Sequence, residues 1–204
     1  MLELSEFPRH YPDCCLSVSS KLLQTVQQTV QSIAHKSRNG VLLLSVGCGT
    51  GFFEATLDTY LVDQGFTNIC VEGVEVPSAQ TSFLPDERLH RVQGTWDIYE
   101  YAERAAVLMF IYPRRGELVR RYLEYCHRSA SLVLWLGPRA DWAEQEPVLH
   151  NVATFGEPTV LENSGLEEYE LVNLFENTLQ DMSLSRTAVL VEDGIHSDED
   201  INCI

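Results

Sequence analysis

Val41-Leu42-Leu43-Leu44-Ser45-Val46 runs without a break into Gly47-Cys48-Gly49-Thr50-Gly51, and Phe52-Phe53-Glu54 then opens a new segment. No other stretch restricts the fold as much. A continuous apolar run of this length, closed by glycine, predicts a strand covered on both faces. Glycine tolerates positive φ and lets backbone approach a ligand closely. A helix that starts directly after such a turn presents unpaired N–H groups at its mouth, which suits a carboxylate or a phosphate.

The rest of the chain alternates around this unit. Leu22, Leu23, Val26, Val30 and Ile33 fall at helical spacing within 17–33, and Asn39-Gly40 ends that segment. A helix is expected over 53–64, stopped by Gly65, then a strand over 68–76, closed by Pro77. A short helix at 78–83, truncated by Pro85, precedes a short strand at 89–92. The apolar runs 105–112 and 131–136 read as buried strands flanking a helix at 116–126. Segments 169–178 and 187–192 read as two strands pairing in an antiparallel hairpin.

The pattern predicts an α/β protein with a doubly wound, mostly parallel seven-stranded sheet and a C-terminal antiparallel hairpin. Residues 1–16, with Pro8 and Pro12, read as an extended arm. Residues 17–194 make one domain, and 195–204 form an acidic tail expected to be disordered.

The spacing of the glycines narrows the ligand. A dinucleotide turn, G-x-G-x-x-G/A, needs a small residue at 52 for tight helix–strand packing, but Phe52 stands there and the third glycine comes one residue early. A phosphate-binding loop would need Gly-Lys-Ser/Thr, which does not follow. Both NAD and ATP are disfavoured. The motif Val46-Gly47-Cys48-Gly49-Thr50-Gly51 instead resembles motif I of the seven-strand, class I S-adenosylmethionine-dependent methyltransferases, and the order of elements resembles that Rossmann-like family over most of the chain.

The resemblance implies S-adenosylmethionine as cofactor, with Gly47, Cys48, Gly49 and Gly51 around its methionine part. It implies Glu75, at the end of the second strand of the sheet, on the ribose hydroxyls, with Glu72 as the fallback on the opposite face. Gly94-Thr95-Trp96-Asp97 falls where the family carries its adenine-contacting loop, so Thr95, Trp96 and Asp97 join the cofactor set. Two departures stand out. Ser45 occupies the position where many members carry an aspartate that orients the cofactor's amino group. Tyr112-Pro113 replaces the Asn/Asp-Pro-Pro-Tyr/Phe of enzymes that methylate amino groups of nucleic acids and proteins.

The formal net charge of −16 opposes a phosphate backbone, so no nucleic-acid partner is expected, and an anionic membrane is disfavoured for the same reason. No run of about eighteen apolar residues spans a bilayer, and the acidic start of the chain does not resemble a signal peptide. Cysteines at 14, 15, 48, 70, 126 and 203 form no C-x-x-C pair, so neither a metal site nor a disulfide framework is expected, and reduced thiols fit the cytoplasm.

The expected acceptor is a small molecule; a protein partner is allowed but not indicated. Pattern alone identifies no catalytic group. His10 and Tyr112 are the candidates, and Tyr11, Tyr112 and Trp142 (beside Asp141) are the expected acceptor contacts, with arm 1–16 folding over the pocket as a lid. Arg114, Arg115, Arg120 and Arg121 are the one concentration of positive charge, read first as a solvated face and second as a clamp for an acidic group. The alternative function is a methyltransferase-fold protein without methyl transfer, serving as a binding partner or a cofactor-independent cyclase or isomerase.

Overall fold

The computed structural model describes residues 4–37, 40–149, 152 and 154–178. The expected strand at 187–192 and the tail at 195–204 lie outside the described residues. The chain opens with an antiparallel hairpin, β1 (Arg9–Tyr11) and β2 (Cys14–Val18), followed by α1 (Ser20–Lys36). The expected boundary at residue 17 falls inside β2. Ser17 stays extended because its N–H and its hydroxyl both bond the Glu170 carboxylate, and Ser19 caps α1 instead by accepting from the Leu22 N–H.

Then come β3 (Val41–Val46), α2 (Phe52–Asp63), β4 (Ile69–Glu75), β5 (Leu89–Arg91), β6 (Val107–Ile111), α3 (Gly116–Tyr125), β7 (Leu132–Pro138), α4 (Arg139–Leu149), β8 (Thr159–Val160) and β9 (Glu170–Glu176). The seven strands after the hairpin form one sheet in the order β5-β4-β3-β6-β7-β9-β8. Pairs β3–β4, β3–β6, β4–β5 and β6–β7 are parallel. Strand β9 runs antiparallel to both neighbours, having inserted between β7 and β8. This is the doubly wound, mostly parallel sheet with a C-terminal antiparallel hairpin that the sequence predicts. The described partner of β9 on its outer side is β8, a two-residue strand too short to leave a sequence pattern.

The central strands β3, β6 and β7 are almost wholly apolar because helices cover both faces. Val107 and Met109 of β6 join the layer of Val26 and Val30 (α1) and Leu57 and Leu61 (α2). Leu108 and Phe110 join the opposite layer, with Val119 and Leu123 of α3 and Trp142 of α4. Each fully buried leucine contributes roughly 1.5–3 kcal/mol, so strict alternation of sides along β6 anchors both layers to one strand.

Two segments differ from the sequence expectation. No helix forms at 78–83; the loop instead crosses the glycine turn, where the Ser82 and Phe83 N–H groups both donate to the Thr50 carbonyl (3.0 and 3.1 Å). Arg91 holds its start through the carbonyls of Val76 and Ala79. Helix α4 was not legible, since it carries Pro147 inside its last turn. Among the described residues no helix is long and apolar enough to cross a membrane.

Candidate functional site

Three of the five residues in the turn between β3 and α2 are positive-φ glycines, Gly47 (77°), Gly49 (56°) and Gly51 (78°). They serve different ends. A methyl group on Gly47 or Gly49 would meet no atom within 4 Å, so these two leave open space above the backbone. One on Gly51 would lie 2.9 Å from Leu84, so this glycine lets the 76–85 loop pack down. The Gly47 and Cys48 N–H groups donate to the Val74 carbonyl, tying the turn to β4. The Cys48 side chain is buried and points at Gly73, where an added methyl would sit 2.7 Å from its sulfur. Burial pushes its thiol well above the ordinary range, which leaves only backbone from this residue to face a ligand.

Glu75 reaches from the end of β4 to this turn. One carboxylate oxygen accepts from the Gly49 N–H at 2.8 Å and the other from the Val76 N–H at 2.8 Å. Glu72 faces the other way and pairs with His90 of β5 at 2.6 Å, with Tyr99 stacked on the His90 ring.

Beneath the turn lies a residue that sequence reasoning missed. Glu54, in the first turn of α2, is 1% exposed, and the Ser45 hydroxyl donates to it at 2.5 Å. Burial raises its carboxyl to about 7, against the opposing effect of the Ser45 bond. The signal was present as Ser45 itself, in a position where the resemblance expects an acid.

The N-terminal hairpin covers the turn. Thr50 donates its hydroxyl to the Asp13 carbonyl, and Tyr11 packs on Phe52 with ring centroids 5.1 Å apart. Phe83 meets Phe52 edge-on from the other side, and Thr81 bonds the Gly49 carbonyl.

The far end of the hairpin docks at the carboxyl end of β6, next to β3 in the sheet. Tyr112 is held there at φ 48°, a left-handed conformation that costs a non-glycine residue roughly 1–2 kcal/mol. Its N–H donates to the Leu136 carbonyl and its hydroxyl donates to Glu170 at 2.5 Å. Burial, with help from that bond, pushes the Tyr112 hydroxyl far above the ordinary phenol range, so it stays protonated. Glu170 is itself buried and also takes donors from Ser17 and the Glu167 N–H. Next door, Tyr169 and His10 share a hydrogen bond of 2.7 Å with their rings stacked. The structure therefore brings His10 and Tyr112 into one neighbourhood through Tyr169 and Glu170, two residues that no motif flagged.

Other expectations fare differently. Trp142 is 8% exposed and packs on Trp135 and Phe175, so it is a core residue rather than an acceptor contact; the turn into α4 rotates it inward. Thr95, Trp96 and Asp97 form a turn closed by the Asp97 carboxylate on the Gly94 N–H, with Trp96 exposed. No described hydrogen bond or ring contact joins that turn to Glu75. The four arginines do not act together. Arg120 pairs with Glu117 and Glu124, Arg121 donates to the Trp96 carbonyl, and Arg114 and Arg115 are exposed beside the end of β6.

Neither a known family's sequence profile nor a curated relative matches this chain. Solved structures do. A class I S-adenosylmethionine-dependent methyltransferase from Listeria monocytogenes is similar at 14% identity and a TM-score of 0.51, over 76% of this chain and 58% of that one. The chain thus spans little more than half the length of that structure. A tRNA methyltransferase from Streptococcus pneumoniae is similar at 14% identity and a TM-score of 0.43, over 83% and 89% of the two chains. The Mtq2–Trm112 complex of E. cuniculi, responsible for methylation of the eRF1 termination factor, is similar at 14% identity and a TM-score of 0.48, over 85% and 99%. The fold of this chain is that of the class I, seven-strand methyltransferases.

One expectation is corrected: the formal net charge of −16 neither excludes a nucleic-acid acceptor nor fixes a small-molecule one. The physical reason is that net charge is a sum over the whole surface, whereas recognition is local, and Arg114 and Arg115 lie exposed beside the site.

Proposed function

We propose that the chain binds S-adenosylmethionine across the glycine turn and transfers its methyl group. The observation that carries this reading is Glu75, whose carboxylate bridges to the Gly49 N–H beside the open space over Gly47 and Gly49. Each oxygen accepts one backbone N–H, which leaves acceptor capacity on both for a pair of ribose hydroxyls. The residues present fit such a nucleoside. Gly47, Cys48, Gly49 and Gly51 offer backbone to its methionine part, and the 94–97 turn offers the Trp96 ring and Asp97 to its base.

The bound cofactor supplies a methyl group already activated on positively charged sulfur. The chain's own share is orientation and exclusion of water, through the β1–β2 hairpin acting as a lid and the 76–85 loop. Tyr112 directs its proton at Glu170 and serves as a fixed wall of the acceptor side, while Tyr11, packed on Phe52, lines the side of the turn. His10, exposed next to this wall, is the group that accepts a proton from an acceptor. Five described cysteines are free thiols, in accord with a reducing compartment such as the cytoplasm. The same commitment of the Tyr112 proton favours a second reading, a protein that binds the cofactor without transferring its methyl group.

Calorimetric titration with S-adenosylmethionine, S-adenosylhomocysteine and NAD tests the proposal. Binding is expected for the first two only. Glu75→Ala is expected to weaken both about tenfold to a hundredfold, since hydrogen bonds to a charged group are worth roughly 1.5–3 kcal/mol. No heat with either sulfur nucleoside overturns the reading.

A further inference from the structure

Glu54 is out of place in a core. It is 1% exposed, its one described side-chain partner is the neutral Ser45 hydroxyl, and it sits between the carboxyl end of β3 and the first turn of α2. The ionisable groups that face it are Glu75 from the end of β4, the Cys48 thiol from the glycine turn and the Cys14 thiol from β2. None of them can carry positive charge. A carboxyl left among neutral or acidic neighbours favours its protonated form, and an apolar residue of similar size would fit the site at lower cost. Its position directly under the turn gives the exception a use.

We propose that Glu54 is the counter-charge of the ligand site, a positioning residue that ionises when a cationic ligand occupies the glycine turn and releases its proton to solvent. This rests on the reading that the turn holds S-adenosylmethionine, whose sulfonium and ammonium groups bring positive charge that none of the groups facing Glu54 supplies, Arg91 lying beyond Cys48 on the loop side. Glu54 then does from α2 what an acid at position 45 would do from the strand, and Ser45 steers it by donating to its carboxyl. The proton balance is simple: one proton leaves the carboxyl, none is taken up by the chain, and no bond other than O–H breaks. Glu54, buried beneath the turn, acts on the ligand through its charge and not by contact with the reacting atoms.

Full-length protein is titrated with S-adenosylmethionine in phosphate and in Tris at pH 7, where the different ionisation enthalpies of the buffers report protons released per ligand bound. A carboxyl at about 7 is roughly half protonated at that pH, so about half a proton is expected to leave, and the ligand binds about tenfold tighter at pH 8 than at pH 6. Glu54→Gln removes its share of proton release and flattens the pH dependence relative to the parent chain, with circular dichroism confirming the fold. The double variant Ser45→Asp with Glu54→Gln, which returns the acid to the strand, regains tight binding.

A Glu54→Gln protein that keeps the parent proton count and pH dependence overturns the counter-charge assignment while leaving the ligand reading intact. Failure of the parent chain to bind S-adenosylmethionine or S-adenosylhomocysteine at any pH overturns both.

Discussion

Glu54→Gln makes a prediction about the unliganded chain that needs no ligand at all. In the folded state the carboxyl ionises at about 7, against an ordinary value of 4.5. Each pH unit of that difference is worth about 1.36 kcal/mol, so the folded state disfavours the charged form by about 3 kcal/mol. The direction follows from proton binding. Between about 4.5 and about 7 the folded chain holds more protons at this site than the unfolded chain, so stability falls as pH rises through that window and levels off above it. Glutamine has the same shape and cannot ionise. At pH 5 the variant is expected to lie within about 1 kcal/mol of the parent, the cost of an amide N–H with poorer partners. By pH 8 it gains about 2–3 kcal/mol on the parent.

Urea unfolding of both proteins at pH 5, 6, 7 and 8 measures this. The two chains share every other ionisable group, so the self-repulsion of a net charge of −16 cancels in the difference. A difference between them that stays constant within about 0.5 kcal/mol from pH 5 to pH 8 refutes the reasoning.

Ser17→Ala removes a hydroxyl that donates to Glu170 and accepts from the Glu167 N–H; a loss of about 2–3 kcal/mol is expected, seen as a drop of about 4–10 °C in the melting temperature. Gly73→Ala forces a methyl to within 2.6 Å of Leu84 and 2.7 Å of the Cys48 sulfur; it is expected to destabilise by about 1–3 kcal/mol and to raise the reactivity of Cys48 toward a thiol reagent in native buffer. Trp142→Ala empties a site between Trp135 and Phe175 and is expected to cost about 3–5 kcal/mol in urea unfolding. Affinity for S-adenosylhomocysteine, measured well below the melting temperature, should stay within about twofold of the parent; a large loss would return Trp142 to the ligand site.

The sheet was legible because its strands are buried on both faces, and burial on both faces leaves an unbroken apolar run. The turn was legible because only glycine fills three positive-φ positions in five residues. Glu75 followed from its place at a strand end. The 78–83 segment was misread because its fate depends on the Thr50 carbonyl, a partner some thirty residues away that local pattern does not reveal. The Tyr112–Glu170–Ser17 network has the same character, since it joins β6, β9 and the hairpin across more than half the chain. Trp142 was misread because an aromatic residue just past a strand end looks the same whether the next turn sends it outward or inward. Ser45 looked like a loss when read alone, and only the fold places Glu54 against it.

The anchorage of the hairpin to Glu170 sets an order of events as the chain is made. Ser17 and Glu170 lie 153 residues apart, and the strand that carries Glu170 is also the one that completes the sheet between β7 and β8. Strands β4, β6 and β7 can each pair beside a neighbour already made as they emerge from the ribosome, but the anchor of the hairpin on Glu170 forms only once β9 has been made. Until residue 170 arrives, the hairpin can meet the turn through Thr50–Asp13 and Tyr11–Phe52, but its Ser17 end lacks the Glu170 anchor. Such long-range closure is slow to form and late in folding, so in nascent chains truncated before β9 a protease should cut the hairpin more readily than in the finished protein.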